Sequence, residues 1–153
     1  MIIFATDLQK MKAEQLLKRY GLSRTKVRMQ VINLLALSDQ PVSGNEILQK
    51  LHLGCNKSTI YRTINALYNK GLLARIIVDY EVKYTLKTNM TDGSAIPADH
   101  VHFKCNICNK VFCLKDLLIE DYELPEGFIK SENQFLIIGT CKTCSEQNKM
   151  KKK

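Results

Sequence analysis

The sequence predicts an α+β chain: a winged helix-turn-helix domain first, then a small α/β domain carrying a four-cysteine zinc site. Three observations predict it. Apolar residues recur at helical spacing to about residue 70 and then switch to alternation. The cysteines pair as Cys105-x-x-Cys108 and Cys141-x-x-Cys144, four soft thiolates that close a tetrahedral zinc shell with no open position. Charge divides unevenly: residues 1–86 hold thirteen Lys+Arg against six Asp+Glu, residues 87–153 ten against nine.

The first helix spans Asp7–Arg19, with Leu8, Met11, Ala13, Leu16 and Leu17 near helical spacing and Gly21 as its stop. The second spans Thr25–Ala36 on Val27, Val31, Ile32, Leu34 and Leu35, and is broken by Ser38-Asp39-Gln40-Pro41. Ser43-Gly44-Asn45-Glu46 fits a capping box and starts a third helix, with Ile47, Leu48 and Leu51 as its apolar stripe. The fourth runs Lys57–Lys70, buries Ile60, Ile64, Leu67 and Tyr68, and ends at Gly71. Leu73–Val78 and Val82–Leu86 then read as a hairpin around Asp79-Tyr80-Glu81. Residues 87–99 have turn composition and no period, so they read as a linker between a domain at 1–86 and one at 100–153. Beyond it, Val101–Lys104, Lys110–Cys113 and Phe128–Ile138 read as strands, Lys115–Tyr122 as a short helix, and Ser145–Lys153 as a frayed tail.

A hydrophobic content of 45% in 153 residues is globular, and each half makes a small core that a metal staple helps. The apolar patch Met1–Ala5 has no basic flank and no signal-peptide length, and no run approaches the roughly 18 residues of a membrane span. The expected location is cytoplasmic, with no membrane partner. There, six cysteines are metal ligands or inert thiols rather than disulfides. The basic first half suits a polyanion partner; the competing reading is a solvated basic face.

Two helices joined by a short turn and followed by a hairpin make a winged helix-turn-helix, whose second helix fits the DNA major groove. Lys57, Ser58, Thr59, Tyr61, Arg62, Asn65 and Asn69 are its expected exposed positions. Lys57 and Arg62 suit phosphate or guanine, Ser58 and Thr59 phosphate or a helix cap, Tyr61 a thymine methyl or a partly buried place in the core, and Asn65 adenine. Arg24, Thr25 and Arg28 lie at the start of the second helix.

The thirty-two residues between Cys108 and Cys141 leave room for a hairpin strand and a returning strand that bring the knuckles together. A dithiol oxidoreductase is the rival reading, but its C-x-x-C opens a helix within a βαβ unit, which this order lacks. His100-Val101-His102 precedes the first knuckle, and on a strand both imidazoles face one side. With Cys113 and Glu120 they would form a second site suited to Zn2+ and tolerant of Fe2+. Cys55 and His52 read as structural or surface residues.

Gly21-Leu22-Ser23-Arg24-Thr25 with Arg28, Ser58-Thr59-Ile60-Tyr61-Arg62, the His100-x-His102-x-x-Cys105-x-x-Cys108 run and Gly139-x-Cys141-x-x-Cys144 resemble the ferric uptake regulator (Fur) family over about residues 15–144. The resemblance implies a homodimeric, metal-dependent repressor that binds palindromic operators in double-stranded DNA and dimerises through its second domain. It implies structural zinc at the four cysteines and DNA contacts from Arg28, Tyr61 and Arg62. Metal joining hairpin, linker and C-terminal strand would set the two winged helices at half-site spacing.

Departures from the family pattern fall on the sensing site. Gln40-Pro41 and Thr85 stand where iron- and manganese-type members carry a His and an acidic residue. Cys113 replaces an acidic residue and Asn133 a late His. These changes favour zinc over iron and disfavour a peroxide sensor. Pro125 shortens the expected helix between the knuckles. Two alternatives stand beside a metal sensor. One is a constitutive or differently triggered DNA binder with structural zinc alone. The other is a zinc-stapled thiol-redox enzyme with a reactive Cys113.

Overall fold

The computed structural model describes residues 7–51, 56–87, 101–114, 117, 119–120, 122–130 and 133–150. The chain divides into two compact units, residues 1–96 and 97–153.

Unit one runs α1 (Asp7–Arg19), α2 (Lys26–Ala36), β1 (Val42–Ser43), α3 (Gly44–Leu51), α4 (Lys57–Asn69), β2 (Leu73–Val78) and β3 (Glu81–Leu86). Its core gathers Leu16 and Leu17 of α1, Val31, Ile32 and Leu35 of α2, Ile47 of α3, and Ile60, Ile64 and Leu67 of α4 over Leu73 and Leu86 of the hairpin. Each such side chain contributes about 1.5–3 kcal/mol when fully buried. These are positions that helical spacing picks out, so the periodicity marks the inward faces correctly.

The helix ends follow from local chemistry. Thr25 caps α2 and accepts from Arg28 N. Ser43 and Glu46 form the capping box: Glu46 Oε2 accepts from Ser43 N at 2.7 Å, and Ser43 Oγ accepts from Glu46 N at 3.3 Å. At the end of α4 the Gly71 N–H reaches Tyr68 O (2.8 Å) and the Leu72 N–H reaches Leu67 O (3.0 Å). That Schellman turn needs φ +78° at Gly71 and buries Leu72 against the core.

The hairpin is tighter than the sequence suggests. Val78 pairs with Glu81, so the loop is two residues, Asp79 and Tyr80, with φ of +53° and +63°. Both values fit a type I′ turn, whose twist matches the strands. A further strand escapes the sequence pattern: Val42 and Ser43 add β1 to the edge of β3, in the order β1-β3-β2. Two residues are too few to show alternation.

Unit two contains β4 (Val101–Cys105), β5 (Val111–Leu114), β6 (Phe135–Gly139) and α5 (Lys142–Met150). The sheet order is β5-β4-β6, with β5 antiparallel and β6 parallel to β4. Three expectations need correction. The expected strand 128–138 is paired only over Phe135–Gly139, because β4 offers a five-residue edge. The described residues of the expected helix 115–122 (117, 119, 120 and 122) are not helical. The tail expected to fray is helical to Met150, because Cys144 lies in the first turn of α5 among the other cysteines and Ser145 N donates to Cys141 O at 2.9 Å. His52, Cys55, His100 and residues 88–99 of the expected linker lie outside the described residues.

Candidate nucleic-acid interface and metal centre

Helix α4 starts at Asn56, whose Oδ1 accepts from Thr59 N (2.9 Å), Thr59 Oγ1 (2.8 Å) and Ser58 Oγ (2.7 Å). The cap is therefore Asn56 rather than Ser58 or Thr59, in keeping with Asn being among the strongest N-cap formers. Ser58 and Thr59 support the cap rather than form it. Neither α4 nor α2 has an acidic side chain in its first turn, so the positive helix ends are uncompensated there.

The expected contact residues fall into two groups. Arg28 is tied to the loop before its helix: its Nη1 donates to Ser23 O (2.7 Å) and Ser23 Oγ (2.5 Å). Arg24 pairs with Glu14 at 2.9 Å, an exposed bridge worth little. Tyr61 is a brace between helices: its hydroxyl donates to Asn45 Oδ1 at 3.0 Å and its ring lies on Gly44. A Cβ at Gly44 would sit 2.8 Å from Tyr61 Cε1, so a larger residue there would push the ring aside. The ring is half-buried, in keeping with the partly buried alternative for this residue. In contrast Lys57 lies 5.7 Å over the Tyr61 ring, and Arg62 is exposed.

In the second unit the backbone brings the cysteines together. Cys105 ends β4 opposite Gly139 of β6, which places Cys141 two residues beyond its neighbour strand. Asn106 N donates to Gly139 O (2.8 Å) and Thr140 Oγ1 to Asn106 Oδ1 (3.2 Å), tying knuckle to knuckle. Gly139 leaves room for Phe103, whose Cζ would meet an added Cβ at 3.1 Å. All four sulfurs lie within 4.8 Å of one another. Cys108 Sγ is 3.9 Å from Cys141 Sγ, close to the roughly 3.8 Å edge of a tetrahedron with about 2.3 Å zinc–sulfur bonds. The donor set therefore fits zinc.

The electrostatics of the cluster are uneven. Backbone amides of Cys108, Cys141 and Ile107 point at the Cys105 sulfur and bring its pKa down to about 6 against the effect of burial. Cys144 is pushed up to about 12 by its hydrogen bond to Cys141, by burial and by the neighbouring sulfurs. Four thiols this close cannot all ionise without a cation between them.

His102 is buried on β4 and stands directly opposite Cys113 on β5, so both side chains share one face of the sheet. Glu120 is exposed, and among the described residues only the four cysteines form a group of three or more converging metal-ligating side chains. The place of the late His is taken by Asn133, whose Oδ1 accepts from Tyr122 at 2.8 Å.

The sequence pattern of the ferric uptake regulator family matches residues 19–135. Solved structures share the fold. A zinc uptake regulator complexed with zinc and DNA is 19% identical and covers 95% of this chain and 99% of its own, with a TM-score of 0.66. A holo XcZur is 17% identical over 90% of this chain and 99% of that chain, TM-score 0.63. The Helicobacter pylori ferric uptake regulator, with three functional metal-binding sites, is 19% identical over 95% and 97%, TM-score 0.55. The fold comprises helices and two sheets with a cysteine cluster near the C-terminus, and the thiol-redox enzyme is set aside: the chain belongs to the ferric uptake regulator family, a family of transcription regulators.

Proposed function

We propose that the chain is a dimeric repressor acting in the cytoplasm, that it binds palindromic operators in double-stranded DNA, and that it responds to a divalent metal, zinc rather than iron. The observation that carries the metal preference is the register that sets Cys113 opposite His102. A thiolate beside an imidazole favours zinc, where an acidic residue at that place would suit iron. The fold likeness to a zinc uptake regulator solved with zinc and DNA supports the same reading.

Each part of the chain has a role in this proposal. Cys105, Cys108, Cys141 and Cys144 hold a structural Zn2+ that closes the second domain, residues 100–153, which dimerises. His100, His102, Cys113 and Glu120 supply the regulatory ligands. The winged-helix domain, residues 1–86, meets DNA through Arg24, Thr25, Arg28, Lys57, Ser58, Thr59, Tyr61 and Arg62. Within that set Arg28 and Tyr61 also hold the helices that present the others. When bound, the structural metal supplies charge balance for four thiolates and no reactive position.

A second reading has its own support: no third described ligand joins His102 and Cys113. In it the protein carries structural zinc alone and answers another trigger. Native mass spectrometry separates the two. Two zinc ions per chain, one of them lost in Cys113→Ser, fit the sensor. One zinc that persists in Cys113→Ser, with operator binding independent of added metal, fits the second reading and ends the first.

A further inference from the structure

Helix α4 directs Ile60, Thr63, Ile64 and Leu67 into the core and leaves Ser58, Arg62, Asn65 and Asn69 exposed. Their spacing of four, three and four residues sets them in one row along the outer face. The row is not uniform in its commitments. Ser58 donates to the cap, and Asn69 is the last helical residue. Among the described residues, no hydrogen bond, ion pair or ring contact holds Arg62 or Asn65. Other arginines are held: Arg24 by Glu14, Arg28 by Ser23, and Arg75 over the Tyr68 ring at 5.0 Å.

We propose that Asn65 is a specificity residue of α4 that selects adenine, one base step from a guanine taken by Arg62. The inference rests on the reading of α4 as the major-groove helix. An Asn side-chain amide offers one donor and one acceptor in the geometry of adenine N7 and N6, and a guanidinium matches guanine O6 and N7. Three helical residues advance about 4.5 Å, nearer one base step of about 3.4 Å than two, so the two side chains address neighbouring base pairs. Tyr61 cannot take this role while its hydroxyl is held by Asn45 and its ring by Gly44, and Thr63 is buried. Asn65 thus adds readout without adding charge.

The test uses the full-length protein supplied with zinc and a randomised duplex DNA library. The wild type should enrich a motif with adenine next to guanine in each half-site. Asn65→Ala should accept any base at that adenine, keep the rest of the motif, and bind the wild-type motif about 5- to 150-fold more weakly. Its salt dependence should match the wild type, since a neutral amide displaces no counterion. 7-Deazaadenine at that position should weaken the wild type and leave Asn65→Ala unaffected. An Asn65→Ala motif identical to the wild-type motif, or a wild-type motif with no adenine beside the guanine, overturns the assignment to Asn65 alone. A wild type that enriches no motif overturns the DNA-binding reading itself, and this inference with it.

Discussion

Tyr61 and Arg62 are neighbours in sequence with opposite commitments. Arg62 is exposed on the outer face, whereas Tyr61 is fixed between α3 and α4 by Asn45 and Gly44. Gly44→Ala should therefore destabilise the first unit by about 1–3 kcal/mol, because a Cβ at 2.8 Å forces the ring to shift. Chemical denaturation checks it; an unchanged midpoint would mean that the ring moves aside at no cost. Glu46 gives a pH-dependent case. Its burial raises the carboxyl pKa, but hydrogen bonds from the Ser43 amide and hydroxyl and the charges of Lys83 and Lys50 outweigh that and hold it below 4.5. A folded-state pKa below the unfolded one stabilises above the unfolded value and is lost as pH falls through the folded value. The stability gap between wild type and Glu46→Gln should be steady at neutral pH and shrink below about pH 4. Urea midpoints from pH 3 to 7 measure it, and a gap that ignores pH would show that the carboxylate charge contributes nothing.

At the scale of elements, the β2–β3 hairpin carries its strain openly. Tyr80 holds φ +63° with its side chain fully exposed, so it loses backbone energy and gains no packing. Tyr80→Gly should stabilise the protein by about 1 kcal/mol and raise the melting temperature by several degrees. A lower melting temperature would show that Tyr80 makes a contact absent from the free chain. The opposite change acts on α4. Asn56→Ala removes the acceptor for Thr59 N and two hydroxyls, and should cost about 1–2 kcal/mol. Amide exchange in the first turn of α4 should accelerate, while exchange in α2 should not. The four helices and the hairpin were legible because their signals are local: spacing, caps and glycines. Strand β1 and the bounds of β6 were not, because their lengths are set by the partner strands β3 and β4.

For the whole molecule, the cysteine cluster lies in a core of the second unit, where Phe103 and Phe112 pack against Cys105, Cys141 and Cys144. Under the proposed zinc site, a strong chelator should unfold the second unit and leave the helical signal of the first. Circular dichroism with one-dimensional NMR would show it; a second unit that keeps its dispersed signals after metal removal would sink the staple role. Metal binding displaces protons from the thiols, so zinc retention should fall as pH falls. With Cys105 drawn down to about 6, its own share of that loss should set in as pH falls through that value. Competition with a chromogenic chelator across pH 5 to 8 reads the sign directly.

Period, composition and C-x-x-C spacing act over a few residues. They were enough to mark the inward faces of four helices and to pick out the four cysteines that the fold brings together. Which side chains are committed emerged from the folded chain alone: Arg28 and Tyr61 to the scaffold, Ser58 and Thr59 to the Asn56 cap, and Arg62 and Asn65 to neither. The same holds for Cys113, which faces His102, and for Glu120, exposed and outside any converging ligand group among the described residues. Cross-strand register and interhelical contacts join residues distant in the chain, and a one-residue slip in register would turn His102 away from Cys113.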